Sequence, residues 1–262
     1  MTHGSLFSGI GGFDLAARWA GWPTAFQVEI DPWCRRILSR HFPNAQRHSD
    51  IREFNARPFR GAVDVISGGF PCQPYSSAGK RLGKSDDRHL WPEMLRVIRE
   101  AAPRWIVGEN VRGLVTWSSG LVFEEVQADL EAAGYQVQAF LLPAAGVDAP
   151  HERYRVWFVA HRKSQQVGAS GQPREYTSVG NATNAGSKRL QEFYPSSCSS
   201  DSKQHSRCFA AQWDEWTTES PVRRMDDGIP HRMDRIRGLG NAIVPQVAWR
   251  IFDTINQYEQ QQ

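Results

Sequence analysis

The chain has 262 residues, 40% hydrophobic and 23% charged, with a formal net charge of +3, the balance of a globular protein long enough to bury its core without disulfide staples. No run of about 18 apolar residues occurs, so no membrane span is expected, and Met1 is not followed by a basic segment and an apolar core, which points away from a secretory signal and towards a reducing cytoplasm. Its four cysteines, Cys34, Cys72, Cys198 and Cys208, form no CxxC pair, so neither a disulfide framework nor a zinc ribbon is expected, and no metal is predicted.

A short apolar run ending at Leu6 and Phe7 leads into Gly9, Gly11 and Gly12. Residues 13–21 then read as a helix with Gly21 as its stop. A strand is expected over 26–30, and a helix over 33–42 with Trp33, Ile37 and Leu38 on one face. Strands follow at 63–67 and 105–107, flanking a helix over 90–102. The phase of Val122, Val126, Leu130 and Ala133 predicts a helix over 121–133, with Gly134 beyond its end. Strands close the stretch at 135–142 and 156–160. This alternation predicts an α/β fold, a mostly parallel sheet with helices on both faces.

The character changes near residue 161. Residues 161–239 are polar and weakly periodic, and hold 12 Lys+Arg against 9 Asp+Glu. That excess suits a phosphate-contacting surface and equally a solvated face. Phe193, Tyr194, Phe209, Trp213 and Trp216 are interleaved with it, which suggests a small folded unit. From Ile243 a helical stripe resumes through Val244, Val247, Ala248, Ile251, Phe252 and Ile255. The organisation read from this is one domain made of 1–160 and 240–262, interrupted by an inserted domain at 161–239.

Three groups converge on one edge of such a sheet. Ligands of open α/β sheets bind beyond the carboxyl ends of the strands. Cys72 stands there in the turn Gly69-Phe70-Pro71-Cys72-Gln73, after the strand at 63–67. Glu109-Asn110-Val111 follows the strand at 105–107, and Arg153-Tyr154-Arg155 precedes the strand at 156–160. A nucleophile, an acid and two arginines are therefore expected at one rim. The glycine turn at 9–12 allows close backbone approach to a nucleotide-like group. Glu29 ends the second strand, where an acid accepts hydrogen bonds from ribose hydroxyls. Phe13 follows Gly12, so the full dinucleotide fingerprint is absent and a nicotinamide enzyme is disfavoured.

On these residues the chain resembles the DNA cytosine-5 methyltransferases. Leu6-Phe7-Ser8-Gly9-Ile10-Gly11-Gly12-Phe13 looks like the family's first motif, and Glu29, Asp50 and Ile51 like its next cofactor contacts. Gly69-Phe70-Pro71-Cys72-Gln73 looks like the fourth, Asp87-Arg88 with Leu90 like the fifth, and Glu109-Asn110-Val111 like the sixth. Arg153 and Arg155 match the eighth, and Gly240-Asn241-Ala242 the tenth. His151 stands where the eighth motif usually has Gln, and Ala242 where the tenth usually has Ser. The resemblance covers 1–160 and 240–258, and 161–239 occupies the slot of the family's target-recognition domain.

The resemblance implies a Rossmann-like methyltransferase fold with a small irregular recognition domain, S-adenosylmethionine as cofactor, and duplex DNA as substrate. It assigns catalysis to Cys72, Glu109, Arg153 and Arg155. Cofactor contacts fall on Phe7, Gly9, Ile10, Gly11, Gly12, Glu29, Ile30, Asp50, Ile51, Pro71, Leu90 and Asn241. DNA contacts are expected from Gln73, Ser76, Lys80, Arg81 and Lys84 in a closing loop, and from Arg223, Arg224, Arg232, Arg235 and Arg237 in the reader. The expected reaction is addition of the Cys72 thiolate to carbon 6 of a flipped cytosine, followed by methylation at carbon 5. An RNA (tRNA) cytosine-5 methyltransferase of the same fold is the nearest alternative. A non-catalytic DNA-binding module is a further one, against which the intact Cys72 and Glu109 argue. A monomer, with or without a companion restriction endonuclease, completes the expectation.

Overall fold

The computed structural model describes residues 1–71, 90–162 and 232–261. These fall within one compact unit, Met1–Ser164 with Pro230–Gln262. Its strands are β1 (His3–Leu6), β2 (Thr24–Val28), β3 (Gln46–His48), β4 (Val65–Gly68), β5 (Trp105–Val111), β6 (Tyr135–Leu142) and β7 (Arg155–Arg162), and they form one sheet in the order β3-β2-β1-β4-β5-β7-β6. The helices are α1 (Gly12–Trp19), α2 (Pro32–His41), α3 (Trp91–Ala101), α4 (Leu121–Ala132), α5 (Arg232–Asn241) and α6 (Pro245–Gln260). Strands β1 to β5 pair in parallel, whereas β7 is antiparallel to both β5 and β6. The expected α/β architecture is present. The antiparallel direction of β7, the three-residue β3 and the helix α5 are not among the elements expected from the sequence.

Helices cover both faces, each over its own core. Met94, Ile98, Val126 and Leu130, from α3 and α4, pack on one face with Phe26, Ile66 and Ile106. Phe13 and Ala17 of α1 and Val247, Ala248, Phe252 and Ile255 of α6 pack on the other, against Val65, Val107 and Trp157. Full burial of side chains of this size stabilises by roughly 1.5–3 kcal/mol each. The α6 stripe is the helical stripe read at 243–255. Phe252 stacks obliquely on Trp22 with ring centroids 4.7 Å apart. Two indole N–H groups fix the end of α6: Trp22 donates to Asn256 at 2.8 Å and Trp105 to Glu259 at 2.8 Å.

A polar network lies under this face. Asp14 of α1 is fully buried and accepts from Ser5 Oγ at 3.1 Å and Gln27 Nε2 at 2.9 Å. No cation faces it in that network, and burial raises its carboxyl to about 6 against those hydrogen bonds. Beside it, buried His3 meets Ser67 Oγ at 2.7 Å, and burial lowers its pKa to about 3, so it stays neutral.

The sequence reading resumes the first domain at Gly240, yet α5 is already docked eight residues earlier. Its Gly238 lies so close to Trp33 and Ile10 that a Cβ there would stand 2.7 Å from the indole. Met233, Ile236 and Leu239 of the same helix are exposed, which hides the docked face from any periodicity argument. Among the described residues no helix is long and apolar enough to cross a membrane, and no group of three His, Cys, Asp or Glu side chains is placed to hold a metal.

Candidate active site

The site lies at the carboxyl edge of the parallel strands. Because β7 runs antiparallel to β5, its first residue arrives where β5 ends, with Val111 opposite Arg155 and Glu109 opposite Trp157. Arg155 Nε therefore reaches Glu109 Oε1 at 3.0 Å. Glu109 is 9% exposed, and burial lifts its carboxyl to about 7 although Arg155 and Arg153 pull the other way. Desolvation outweighs the two guanidiniums, so the group holds or releases a proton near neutral pH. Glu109 occupies the end of β5 proper, which extends to Val111 rather than stopping at Val107.

The turn after β4 comes down on this carboxylate. A Cβ on Gly69 would lie 3.2 Å from Glu109 Oε2, a close backbone approach that only a small residue fits comfortably. Asn110, 2% exposed, donates from Nδ2 to the Phe70 carbonyl at 3.2 Å and accepts from Val111 N at 2.8 Å. Phe70 is buried against Trp91, 5.1 Å between centroids. Asn110 thus fixes the backbone that leads through Pro71 to Cys72, a positioning function absent from the expected site residues. Cys72 itself, with Gln73, Ser76, Lys80, Arg81, Lys84, Arg223 and Arg224, lies outside the described residues, as do Cys198 and Cys208. Cys34, the one described cysteine, is buried, and burial with Glu29 and Asp31 pushes its thiol up to about 12, so it is no rival nucleophile.

The two arginines do different things. Arg155 pairs with Glu109, whereas Arg153, which lines the same cavity, donates through Nη2 to the carbonyls of Gly240 at 2.9 Å and Ala242 at 2.7 Å. The alternation of a strand does not apply to Arg153, which precedes β7 with a left-handed φ of 35°. Arg112, two residues past Asn110, was not singled out in the sequence. It is exposed, with its guanidinium carbon over the Tyr154 ring, 5.5 Å from the ring centre, a cation–π contact at the same rim.

A second group of residues forms a shelf at the ends of β1 and β2. Glu29 accepts from Gly9 N at 2.7 Å through one oxygen and from Asp31 N at 2.8 Å through the other. Burial raises its pKa, and these hydrogen bonds oppose the rise. Phe7 enters the turn with φ of 51°, strain of the kind kept at functional sites. Above Gly9 there is open space, since a Cβ there would meet nothing within 4 Å, and Ile30 beside it is 65% exposed. An open turn, an oriented carboxylate and an exposed apolar side chain together fit the adenosine part of S-adenosylmethionine. Ile10, Pro71 and Leu90 are partly buried and Asn241 is exposed at the same edge of the sheet, while Gly11 and Gly12 pack on Phe42, Leu38 and Ile243. Asp50 accepts from Arg52 N at 2.9 Å. Ile51 is 3% exposed and packs in the core beneath the shelf.

Of the arginines expected to read DNA, Arg235 is exposed on α5. Arg237 is ion-paired with Asp31, the N-cap of α2, and lies 3.5 Å from Asp234. Arg232 begins α5.

The family model for C-5 cytosine-specific DNA methylases matches residues 1–226. The Type II methyltransferase M.AquIA of Picosynechococcus sp. is 38% identical over 175 residues, covering 60% of this chain and 71% of that protein. The Type II methyltransferase M1.HphI of Haemophilus parahaemolyticus is 36% identical over 197 residues, 70% of this chain and 52% of that protein. The solved structure of Spodoptera frugiperda DNMT2 superposes with a TM-score of 0.51 at 23% identity, over 66% of this chain and 53% of that one, and shares the fold. The chain thus spans about half the length of several proteins it matches.

Proposed function

The chain belongs to the C-5 cytosine-specific DNA methylase family, and from that premise we propose that it methylates carbon 5 of a cytosine flipped out of duplex DNA, through a transient covalent adduct of Cys72. The observation that carries this reading is the buried Glu109 carboxyl, paired with Arg155 and pressed against Gly69, three residues before Cys72.

Cytosine carbon 5 is a weak nucleophile. The Cys72 thiolate adds to carbon 6, forming a carbon–sulfur bond and pushing the ring electrons towards N3 and carbon 5. Protonated Glu109 donates to N3 and its second oxygen accepts from the exocyclic amine, so charge that develops on the ring is met by a placed proton. Arg155 keeps the Glu109 carboxyl oriented and offers its remaining donors to the base oxygen. S-adenosylmethionine, when bound, supplies the methyl group. A general base then takes the proton from carbon 5, and the carbon–sulfur bond breaks to return the Cys72 thiolate. Glu29, Gly9, Ile30 and Asn241 hold the cofactor, and Arg112 holds a DNA phosphate beside the flipped nucleotide.

In the same reading, residues 161–239 form the domain that selects the DNA sequence, with Arg223, Arg224, Arg232 and Arg235 as contacts, and Gln73, Ser76, Lys80, Arg81 and Lys84 close over the base. The protein works as a monomer in the cytoplasm, in a restriction-modification pair with an endonuclease. The test is a duplex carrying 5-fluorocytosine at target sites. Fluorine does not leave as a proton does, so a covalent complex accumulates with the intact protein and is lost in Cys72→Ala. A complex that persists in Cys72→Ala removes Cys72 from the reaction. Offering tRNA in place of the duplex separates the RNA alternative: methyl transfer to tRNA alone replaces the DNA reading.

A further inference from the structure

We propose that Arg153 is a positioning residue for the cofactor side, which it serves by holding the turn 240–242. The inference rests on the proposed methyl-transfer reading for the identity of the cofactor.

One guanidinium nitrogen of Arg153 donates to the carbonyls of both Gly240 and Ala242, which flank Asn241. These are groups at the carboxyl end of α5, where carbonyls lack helical partners and a cation is favoured. The reach spans 87 and 89 residues of sequence, so a single side chain joins the rim of the Glu109 site to the end of α5. Arg153 precedes β7 with a left-handed φ of 35° and lines one cavity with Glu109 and Arg155, from which its Nη2 reaches the turn.

The other side of the same segment rests on the cofactor shelf. A Cβ on Gly12 would stand 2.7 Å from Ile243 Cγ1, so Ile243 lies directly over the glycine turn. Gly238 presses on Ile10 and Trp33, and Arg237 pairs with Asp31. The segment 237–243 is therefore seated on the shelf and bracketed from the base side by Arg153. With the guanidinium engaged by two carbonyls, it has a defined task that needs no DNA. Removing it frees Asn241 and loosens the shelf, while Arg155 and Glu109 keep their own pair.

The test uses the full chain with Arg153→Ala, Arg153→Lys, Asn241→Ala and the Arg153→Ala/Asn241→Ala double variant. S-adenosylmethionine affinity is measured by titration calorimetry without DNA, and kcat and duplex affinity separately. Arg153→Ala should weaken cofactor binding by on the order of tenfold, the size expected for hydrogen bonds to a charged group, with duplex affinity retained. Arg153→Lys, which keeps a donor and the charge, should fall between. The double variant should bind the cofactor no more weakly than Asn241→Ala alone, because both act through one side chain. Unchanged cofactor affinity with reduced kcat or duplex affinity, in Arg153→Ala or in Arg153→Lys should the alanine variant not fold, overturns the inference. So does full additivity in the double variant. An unsubstituted protein that methylates DNA leaves the broader reading standing in either case; one that binds no S-adenosylmethionine overturns both.

Discussion

Arg155 Nε lies 3.0 Å from Glu109 Oε1, and yet the Glu109 carboxyl titrates near 7 rather than below its ordinary 4.5. An ion pair at a protein surface would hold the carboxylate charged. Here the pair is sunk at the end of β5, and loss of water costs the charged form more than Arg155 and Arg153 return. The result is a proton available at the pH where the protein is expected to work.

Glu109→Gln should lower methyl transfer by ~10²-fold or more, with S-adenosylmethionine affinity nearly unchanged. The intact enzyme's kcat/KM should fall as pH rises through about 7, because the donating form of Glu109 is the protonated one. That descending limb should be missing from the residual activity of Glu109→Gln. A normal turnover combined with lost cofactor affinity would place Glu109 in the other half of the site.

Arg155→Ala should move the same limb to higher pH. Arg155 is the larger of the two cationic influences that hold the Glu109 pKa down, so its removal leaves burial opposed by Arg153 alone. The limb is read from the pH profile of the variant's remaining activity. A limb displaced to lower pH would mean that another group sets it.

Arg112→Ala should weaken binding to all duplex sequences alike. Loss of one phosphate contact should also reduce the slope of log affinity against log salt by about 1. Tyr154→Leu, which removes the ring under the guanidinium, should show a smaller effect in the same direction. A change in which cytosines are methylated would instead make Arg112 a reader of bases.

Asp14→Asn should stabilise the fold above pH 7. The Asp14 carboxyl rises to about 6 on folding from 3.8, so its contribution is intact below about pH 4 and is lost as pH climbs through about 6. At pH 8 the charged, buried form is a liability of up to about 3 kcal/mol, taking 1.36 kcal/mol per unit. The melting temperature of Asp14→Asn should exceed that of the unsubstituted protein at pH 8, and the two should converge near pH 4. A gap that is constant with pH would show that charge at Asp14 is not its cause.

The strands and helices of the α/β frame were legible because their apolar residues recur with clear periods, as in the α6 stripe that ends at Ile255. What failed had a physical reason in each case. β3 is three polar residues, Gln46, Arg47 and His48, with no alternation to read. β5 was cut short at Val107 because Glu109 and Asn110 are polar, although both are buried. α5 docks through Gly238, and its larger side chains point outward. At the site, the meeting of Glu109 with Arg155 followed from strand ends. The hold of Arg153 on the carbonyls of Gly240 and Ala242 did not, because those partners lie 87 and 89 residues away and no local spacing announces them.

The reversed direction of β7 has a consequence for the joints of the inserted segment. β7 begins beside Glu109 and ends at Arg162, where its partner Tyr135 opens β6 and neighbouring His161 faces Trp105 at the start of β5. The chain therefore leaves the sheet at the edge remote from the chemistry, and it re-enters at α5, beside Ile10 and Trp33, on the edge that holds the chemistry. Eight residues of β7 cover roughly 27 Å of that travel at about 3.4 Å each, and the sequence from 163 to 231 is many times longer than the return requires. The pairings that carry Glu109 and Arg155, β4 with β5, β5 with β7 and β6 with β7, all lie between Val65 and Arg162, so their register is written entirely ahead of the stretch between Arg162 and Arg232.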